Sequence, residues 1–230
     1  MKVLQEKLNF LLEKYSVDVK AELKDEKTVI IDGQALPLLA HRNERRFLEQ
    51  KNIVTGGTLQ GVSVMRVARI IEKGSDIYEA LYRELDICRY VLGRKLVSIM
   101  VMQNDNVLNA ISTCQDGVVC TIEISATLAK GEAPKDKHEI IAQRGTCCDV
   151  VVDAQLKQDS IYFFGEENQK FTDVDFELYG LRIEEVAIVR AAFGIAQKKN
   201  YEEMKTLAEE LDQLIVLAKR SAENGEREVV

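Results

Sequence analysis

No stretch of this chain approaches the ~18–20 uninterrupted apolar residues that a membrane span requires. The opening MKVLQEKLNFLLEKY is charged throughout its apolar stripe, so neither a membrane anchor nor an export signal is expected. Positive charge is in deficit: 31 Lys and Arg against 38 Asp and Glu leave a net charge of −7. That excludes the concentrated basic field on which nucleic-acid and anionic-membrane binders rely. No G-x-G-x-x-G follows a first strand and no Walker sequence is present, so the chain has no cradle of its own for a dinucleotide or nucleoside triphosphate. The one glycine-rich run, GGTLQG with Gly56, Gly57 and Gly61, precedes a strand where a phosphate loop opens a helix, and reads as a turn. No nucleophile elbow is found.

Histidine is scarce, with only His41 and His138, and nothing in their spacing to carboxylates suggests a metal site. His138 follows KDK at the start of an apolar stretch and is expected to be an exposed strand-start residue. Five cysteines (Cys88, Cys114, Cys120, Cys147, Cys148) are an odd number without an export signal, so reduced thiols and a cytoplasmic location are expected. Cys147 and Cys148 are neighbours on a strand and point to opposite faces, which favours packing over redox chemistry.

What is present is patterned. A chain of 230 residues with two prolines fits one globular domain, or a domain plus an appendage, and at this size buries roughly 70–75% of its extended surface. Val3, Leu4, Leu8, Leu11, Leu12 and Tyr15 recur at helical spacing. Val17 to Leu23 and Thr28 to Ile31 alternate like strands, with Asp32–Gly33 as a turn signal. PLLAHRNERRFLEQK within Leu36 to Lys51 reads as a partly helical connection with a solvated basic face. Leu59 to Ile70 alternates strongly. Asp76 as N-cap, a stripe through Ile77, Leu81, Leu85, Cys88, Tyr90 and Leu92, and Gly93 as terminator mark a helix. Strands follow at Leu96 to Met102, Val107 to Thr113, Val118 to Ala126, His138 to Gln143, Cys147 to Val152, Ile161 to Phe164 and Phe171 to Val174. Helices at Ile183 to Gln197 and Tyr201 to Ala222 close the chain.

This order implies an α+β fold: an open, largely antiparallel sheet with helices packed on one face. Apolar residues on both sides of the strands, such as Ile99 to Met102, imply that the other face is used for oligomerisation. Residues 1–40 read as an N-terminal helix with short strands, a remnant or a cap beside the main domain, 41–222 as that main domain and 223–230 as a frayed tail. Asp173, Asp175 and Glu177 alternate in FTDVDFELYG and read as a solvated edge.

From Arg45 to about Glu228 the chain resembles the C-terminal domain of the glucose-fructose oxidoreductase and inositol dehydrogenase family, Gfo/Idh/MocA. RRF at Arg45 to Phe47, GGTLQGVSVMRVARI, ELDICRYVLG, DGVVCTIEIS and HEIIAQRGTCCDVVV follow the order of that domain's entry segment, first strand, helix, central strand and strand–turn–strand. EELDQLIVLAKRSAENGERE is similar to its last helix and tail. The resemblance implies that members carry NAD(P) on an N-terminal Rossmann domain and use a Lys from an EKP segment, neither of which this sequence contains. It also implies that the family's catalytic His falls on Arg83 when Asp86 and Arg89 are aligned, and its acidic neighbour on Glu79. Arg stays protonated and cannot serve as a general base.

The expectation is therefore a non-catalytic scaffold that forms a homo-oligomer and can bind a sugar-like ligand, and not a self-sufficient NAD(P)-dependent dehydrogenase. One alternative is an accessory subunit completed by a separate Rossmann-bearing chain, which would supply the NAD(P). The other is a cofactor-independent enzyme using the former substrate cleft. Candidate residues are Glu79 and Arg83 for catalysis, and Tyr82, His138 and Arg45 for ligand binding; no residue is assigned to a cofactor or a metal. Glu79 and Arg83 stand one helical turn apart, and on this reading a surface ion pair joins them, so that Arg83→Ala would leave folding almost unchanged.

Overall fold

The structure, a computed structural model, describes residues 1–149 and 175–230, together with the backbone of 160–163 and 169–172. The chain divides into two compact units, Met1–Arg45 with Val151–Leu207, and Arg46–Val150 with Ala208–Val230.

In the first unit, helix α1 (Lys2–Lys14) buries Leu4, Leu8, Leu11 and Leu12, the stripe that the 3.6-residue period dictates. Strands β1 (Ala21–Leu23), β2 (Thr28–Ile31) and β3 (Gln34–Pro37) form an antiparallel sheet in that order. Asp32 and Gly33 turn between β2 and β3 with φ of 49° and 82°. The Leu36 to Lys51 region resolves into β3, a short 3-10 helix (Ala40–Asn43) and helix α2 (Arg45–Thr55).

The second unit is built on a sheet. Strand β4 (Val62–Glu72) leads through helix α3 (Ile77–Leu92) to β5 (Leu96–Gln103), β6 (Val107–Cys114), β7 (Val119–Leu128), β8 (Lys135–Ala142) and β9 (Gly145–Cys148). Back in the first unit, β10 (Ser160–Phe163) pairs with β11 (Gln169–Thr172) as a separate antiparallel hairpin. Helices α4 (Ile183–Lys198) and α5 (Tyr201–Asn224) follow, and strand β12 (Glu228–Val229) ends the chain. The expected strand ends at Val150 to Val152, Phe164, and Asp173 to Val174 lie outside the described residues.

Among the described residues the large sheet has seven strands in the order β12-β5-β6-β7-β4-β8-β9. Of these pairings β4–β7 is parallel and the others are antiparallel. The architecture is the α+β, open, mostly antiparallel arrangement that the periodicities imply, with no membrane-length apolar helix among the described residues.

Alternation decides the two faces of this sheet. Along β7, Cys120, Ile122, Ile124, Ala126 and Leu128 are buried while Glu123 and Thr127 are exposed. Helix α3 packs on the buried side against β7 and β4, bringing Leu81, Leu85, Cys88 and Val91, none of them exposed to solvent. Its ends are set locally: the Asp76 carboxylate accepts from the Tyr78 and Glu79 amides, and Gly93 adopts φ 65° to stop the helix. Each buried Leu or Ile contributes on the order of 1.5–3 kcal/mol.

The C-terminal residues do not fray. Glu228 and Val229 pair with Ile99 and Ser98 at the edge of β5, and Glu228 is bound by Arg220 and Asn224 of α5. Buried Ser221 couples helix to sheet: its Oγ accepts from the Val101 amide at 2.9 Å and donates to the Glu226 carbonyl at 2.5 Å. An otherwise exposed edge strand is thereby closed by the chain's own tail. Ser221→Ala leaves the Val101 amide buried and unpartnered, so urea denaturation is expected to read a loss of about 1–3 kcal/mol. An unchanged midpoint would mean that this tie does not hold the edge.

Candidate functional site

The densest chemistry in the second unit lies on the inward side of β8. Strand periodicity puts Asp136, His138 and Ile140 on one face, and Ile140 is fully buried, so His138 must follow it inward. The expectation of an exposed His138 is overturned: the residue has no solvent exposure. On the neighbouring β4, Arg69 shares the inward face with Val67 and Ile71, and register places Arg69 opposite Asp136 and Val67 opposite His138.

Both imidazole nitrogens are engaged by carboxylates. Nδ1 lies 2.7 Å from Asp149 Oδ2, and Nε2 lies 2.7 Å from Glu84 Oε2 on α3. Asp149 also accepts from the His138 amide at 2.7 Å, while its own amide donates to the His138 carbonyl at 3.1 Å. A ring facing two acceptors must donate from both nitrogens, which makes it an imidazolium. Burial alone would pull His138 down, but the Glu84 and Asp149 carboxylates override it and hold the imidazole up at about 9.

Three guanidinium groups complete the cluster. Arg83 Nη1 donates to Glu84 Oε1 at 2.5 Å and to Asp136 Oδ2 at 3.3 Å. Arg69 Nη1 reaches Asp136 Oδ2 at 2.8 Å and Glu84 Oε1 at 3.4 Å. Arg46, from α2, grips both Asp136 oxygens at 2.5 and 3.0 Å and contacts Asp149 at 3.1 Å. Burial acts to raise the carboxyl of Glu84, but Arg83, His138 and Arg69 win and hold it far below the usual carboxylate range. Asp136 is likewise lowered against burial, chiefly by Arg46. Phe47 closes the group: its ring meets His138 edge-on at 4.7 Å and lies 4.4 Å beneath the Arg46 guanidinium.

Glu84, Asp136 and His138 offer ligand atoms within 4.8 Å of one another, a metal-like grouping. Each of those atoms is already committed to a cation or a ring N–H, and a metal ion would face three guanidiniums. The chemistry of the donor set is that of an ion network.

Of the residues the sequence singled out, the structure brings Arg83 and His138 into this one cluster. Glu79 is exposed and Tyr82 half-buried on α3, and Arg45 is exposed at the first position of α2. Arg46, Arg69, Glu84, Asp136 and Asp149 were not anticipated. The period of β8 could have revealed Asp136 and His138, since both share parity with Ile140. Arg83 is also not the surface residue expected: its side chain is only 19% exposed.

Elsewhere three of the second unit's five thiols lie in the core. Cys88, Cys114 and Cys120 are buried, Cys147 is half-buried and Cys148 exposed; hydrogen bonding to Cys120 and burial push the Cys114 thiol far up, which makes it unreactive. In the first unit, Asp175 and Glu177 form no simple solvated edge. Arg190 binds Asp175 at 2.8 and 2.9 Å and Glu177 at 2.6 Å, and Lys14 and Tyr15 also bind Glu177. Asp173 lies outside the described residues.

No protein-family model and no curated protein matches the sequence. Solved structures match its fold. A Sinorhizobium meliloti protein assigned as a myo-inositol dehydrogenase is 15% identical with a TM-score of 0.62, over 85% of this chain and 65% of that one. The scyllo-inositol dehydrogenase of Lactobacillus casei, with bound NAD(H) and scyllo-inositol, is 12% identical with a TM-score of 0.54, over 83% and 63%. An oxidoreductase domain protein from Kribbella flavida is 9% identical with a TM-score of 0.61, over 84% and 65%. These neighbours belong to the dehydrogenase family that the sequence resembles. At such identities the likeness establishes the shared fold, and the chain spans less than two thirds of each neighbour's length.

Two measurements test the cluster. Arg83→Ala strands Glu84 and part of Asp136, so a loss of roughly 2 kcal/mol is expected in chemical denaturation, below the ~3–5 of a fully buried pair because Arg83 touches solvent. A loss under about 0.5 kcal/mol, the size of a surface pair, would restore the surface reading. The second concerns pH. Because His138 is raised from the ordinary 6.5 to about 9 in the folded state, its contribution is complete below 6.5 and is lost as pH climbs through about 9. Wild-type stability should therefore decline across that window, and His138→Gln should lack that component; parallel profiles would contradict the charged ring.

Proposed function

We propose that this chain acts as a sheet-based assembly module on a dehydrogenase-like fold, and does not abstract protons at the position where the family resemblance puts a histidine base. The observation that supports this reading is the state of Arg83. Its guanidinium stays protonated and is spent on Glu84 and Asp136 at 2.5 and 3.3 Å. A group so placed anchors a helix; it has no lone pair to accept a substrate proton.

The second support is the outward face of the large sheet. Met102 is 65% exposed, Ile111 49% and Ile70 37%, on strands whose opposite face carries buried residues such as Val101, Ala110 and Ile71. Such apolar side chains exposed on one sheet face fit a second copy of the chain better than water. A polyol such as the inositol bound by the Lactobacillus casei neighbour is the ligand class most in keeping with the fold.

Light scattering on the eluting protein is expected to give a dimer or a larger even-numbered assembly. A thermal-shift series with NAD, NADP and myo-inositol should leave the midpoint unmoved by either dinucleotide alone. A monomer at all concentrations would remove the assembly reading, and stabilisation by a dinucleotide would replace it with a cofactor-binding one.

A further inference from the structure

Outside the ion network, three thiols gather on the inward side of the large sheet. Cys120 of β7 stands opposite Ser112 of β6, and the Cys114 amide donates to the Val118 carbonyl at 2.8 Å. Cys114 and Cys120 are therefore diagonal neighbours across one antiparallel pair, and both are buried. Cys88, also buried, meets Cys120 from α3.

Geometry decides what the strand pair can do. A disulfide needs Cβ atoms about 3.8 Å apart, whereas diagonal neighbours have Cα atoms ~7–8 Å apart and Cβ atoms only somewhat closer. That span is too wide for an S–S bond. It suits an ion held between the sulfurs, because two bonds of roughly 2.3 Å spread them to about 4.5 Å. The two thiols already interact by hydrogen bonding. The three sulfurs do not all fall within 4.8 Å of one another, unlike the ligand atoms of Glu84, Asp136 and His138. Cys88 is thus no equal third ligand, and the set lacks the four ligands of structural zinc. A soft monovalent cation that accepts two thiolates, copper(I), fits it.

The surroundings supply the matching charge. Two thiolates around a monovalent cation carry one net negative charge, which apolar neighbours alone would not tolerate. Arg94, between α3 and β5, binds Asp116 through Nε at 2.9 Å, while its Nη1 is buried with no hydrogen-bond partner among the described residues. Its charge reaches both thiols. Hydrogen bonding to Cys120 and burial raise Cys114, and Arg94 acts the other way. On Cys120 the Cys114 thiol acts to lower, Cys88 and burial raise and prevail, and Arg94 again acts to lower. Exposed Gln115, Asp116 and Gly117 follow Cys114 directly, so the site lies one residue from solvent along the chain.

We propose that Cys114 and Cys120 bind one copper(I) ion as a two-coordinate bis-thiolate whose negative charge is met by Arg94. When empty, both thiols keep their protons. The ion enters by displacing them: Cu⁺ and two S–H groups give S–Cu–S and two released protons, with no change of oxidation state. This site stands independently of the assembly reading.

The test is anaerobic titration with copper(I) against a competing chelator. It uses a Cys147→Ser/Cys148→Ser variant, so that the thiols of β9 contribute nothing. One copper per chain is expected, with two sulfur neighbours in its X-ray absorption spectrum. Cys114→Ala in that background should abolish the uptake. Because a core truncation can also unfold the chain, Arg94→Gln gives a reading that leaves every ligand in place: one copper still bound, at least about tenfold more weakly. No copper in the Cys147→Ser/Cys148→Ser variant, a shell other than two sulfurs, uptake that survives Cys114→Ala, or unchanged affinity in Arg94→Gln overturns the site.

Discussion

A charged imidazole removed from water and gripped at each nitrogen by a carboxylate is the constraint on which the second unit depends. Removing ions from water costs several kcal/mol each, and that cost is offset only when every partner is in place. His138 therefore needs Glu84 and Asp149, and those carboxylates need Arg83, Arg69 and Arg46. Because these groups come from α2, β4, α3, β8 and the residue after β9, satisfying them fixes five chain segments against one another. Apolar contacts would stabilise the same layers with looser placement, whereas a hydrogen-bonded ion network tolerates one register.

This constraint also bears on function. The helix that the family resemblance marks as carrying proton-transfer groups is here tied down through Arg83, and its charge is consumed internally. The inward face of the sheet is thus spent on core and ion network, and among the described residues the outward face of β4 to β8 is the broad surface that keeps exposed apolar and charged side chains together. Arg66, Glu123, Lys137 and Glu139 lie on that face, outside the core.

Local signals were legible in the sequence. Asp76 and Gly93 mark the ends of α3 because capping chemistry is local, and alternation marks β4 to β8 because one face of each is buried. The resemblance gave the order of elements, and the solved neighbours share that fold. Long-range facts were not legible. Arg46 and Asp136 are 90 residues apart, and no local rule pairs them. The KDK run before His138 suggests exposure, yet Lys135 and Lys137 occupy the outward face, and parity with Ile140 is the better guide. The tail misleads for a similar reason: ENGERE is polar, but Glu228 finds Arg220 and Asn224 once α5 stands beside β5.

The most direct measurement is the protonation state of His138 itself, followed by nitrogen NMR of the ring in the intact protein. The account requires both ring nitrogens to carry protons at neutral pH and to titrate only near 9. A neutral ring at about pH 7, titrating in the ordinary histidine range, would contradict it, because a neutral ring could satisfy only one of the two carboxylates that hold the cluster together.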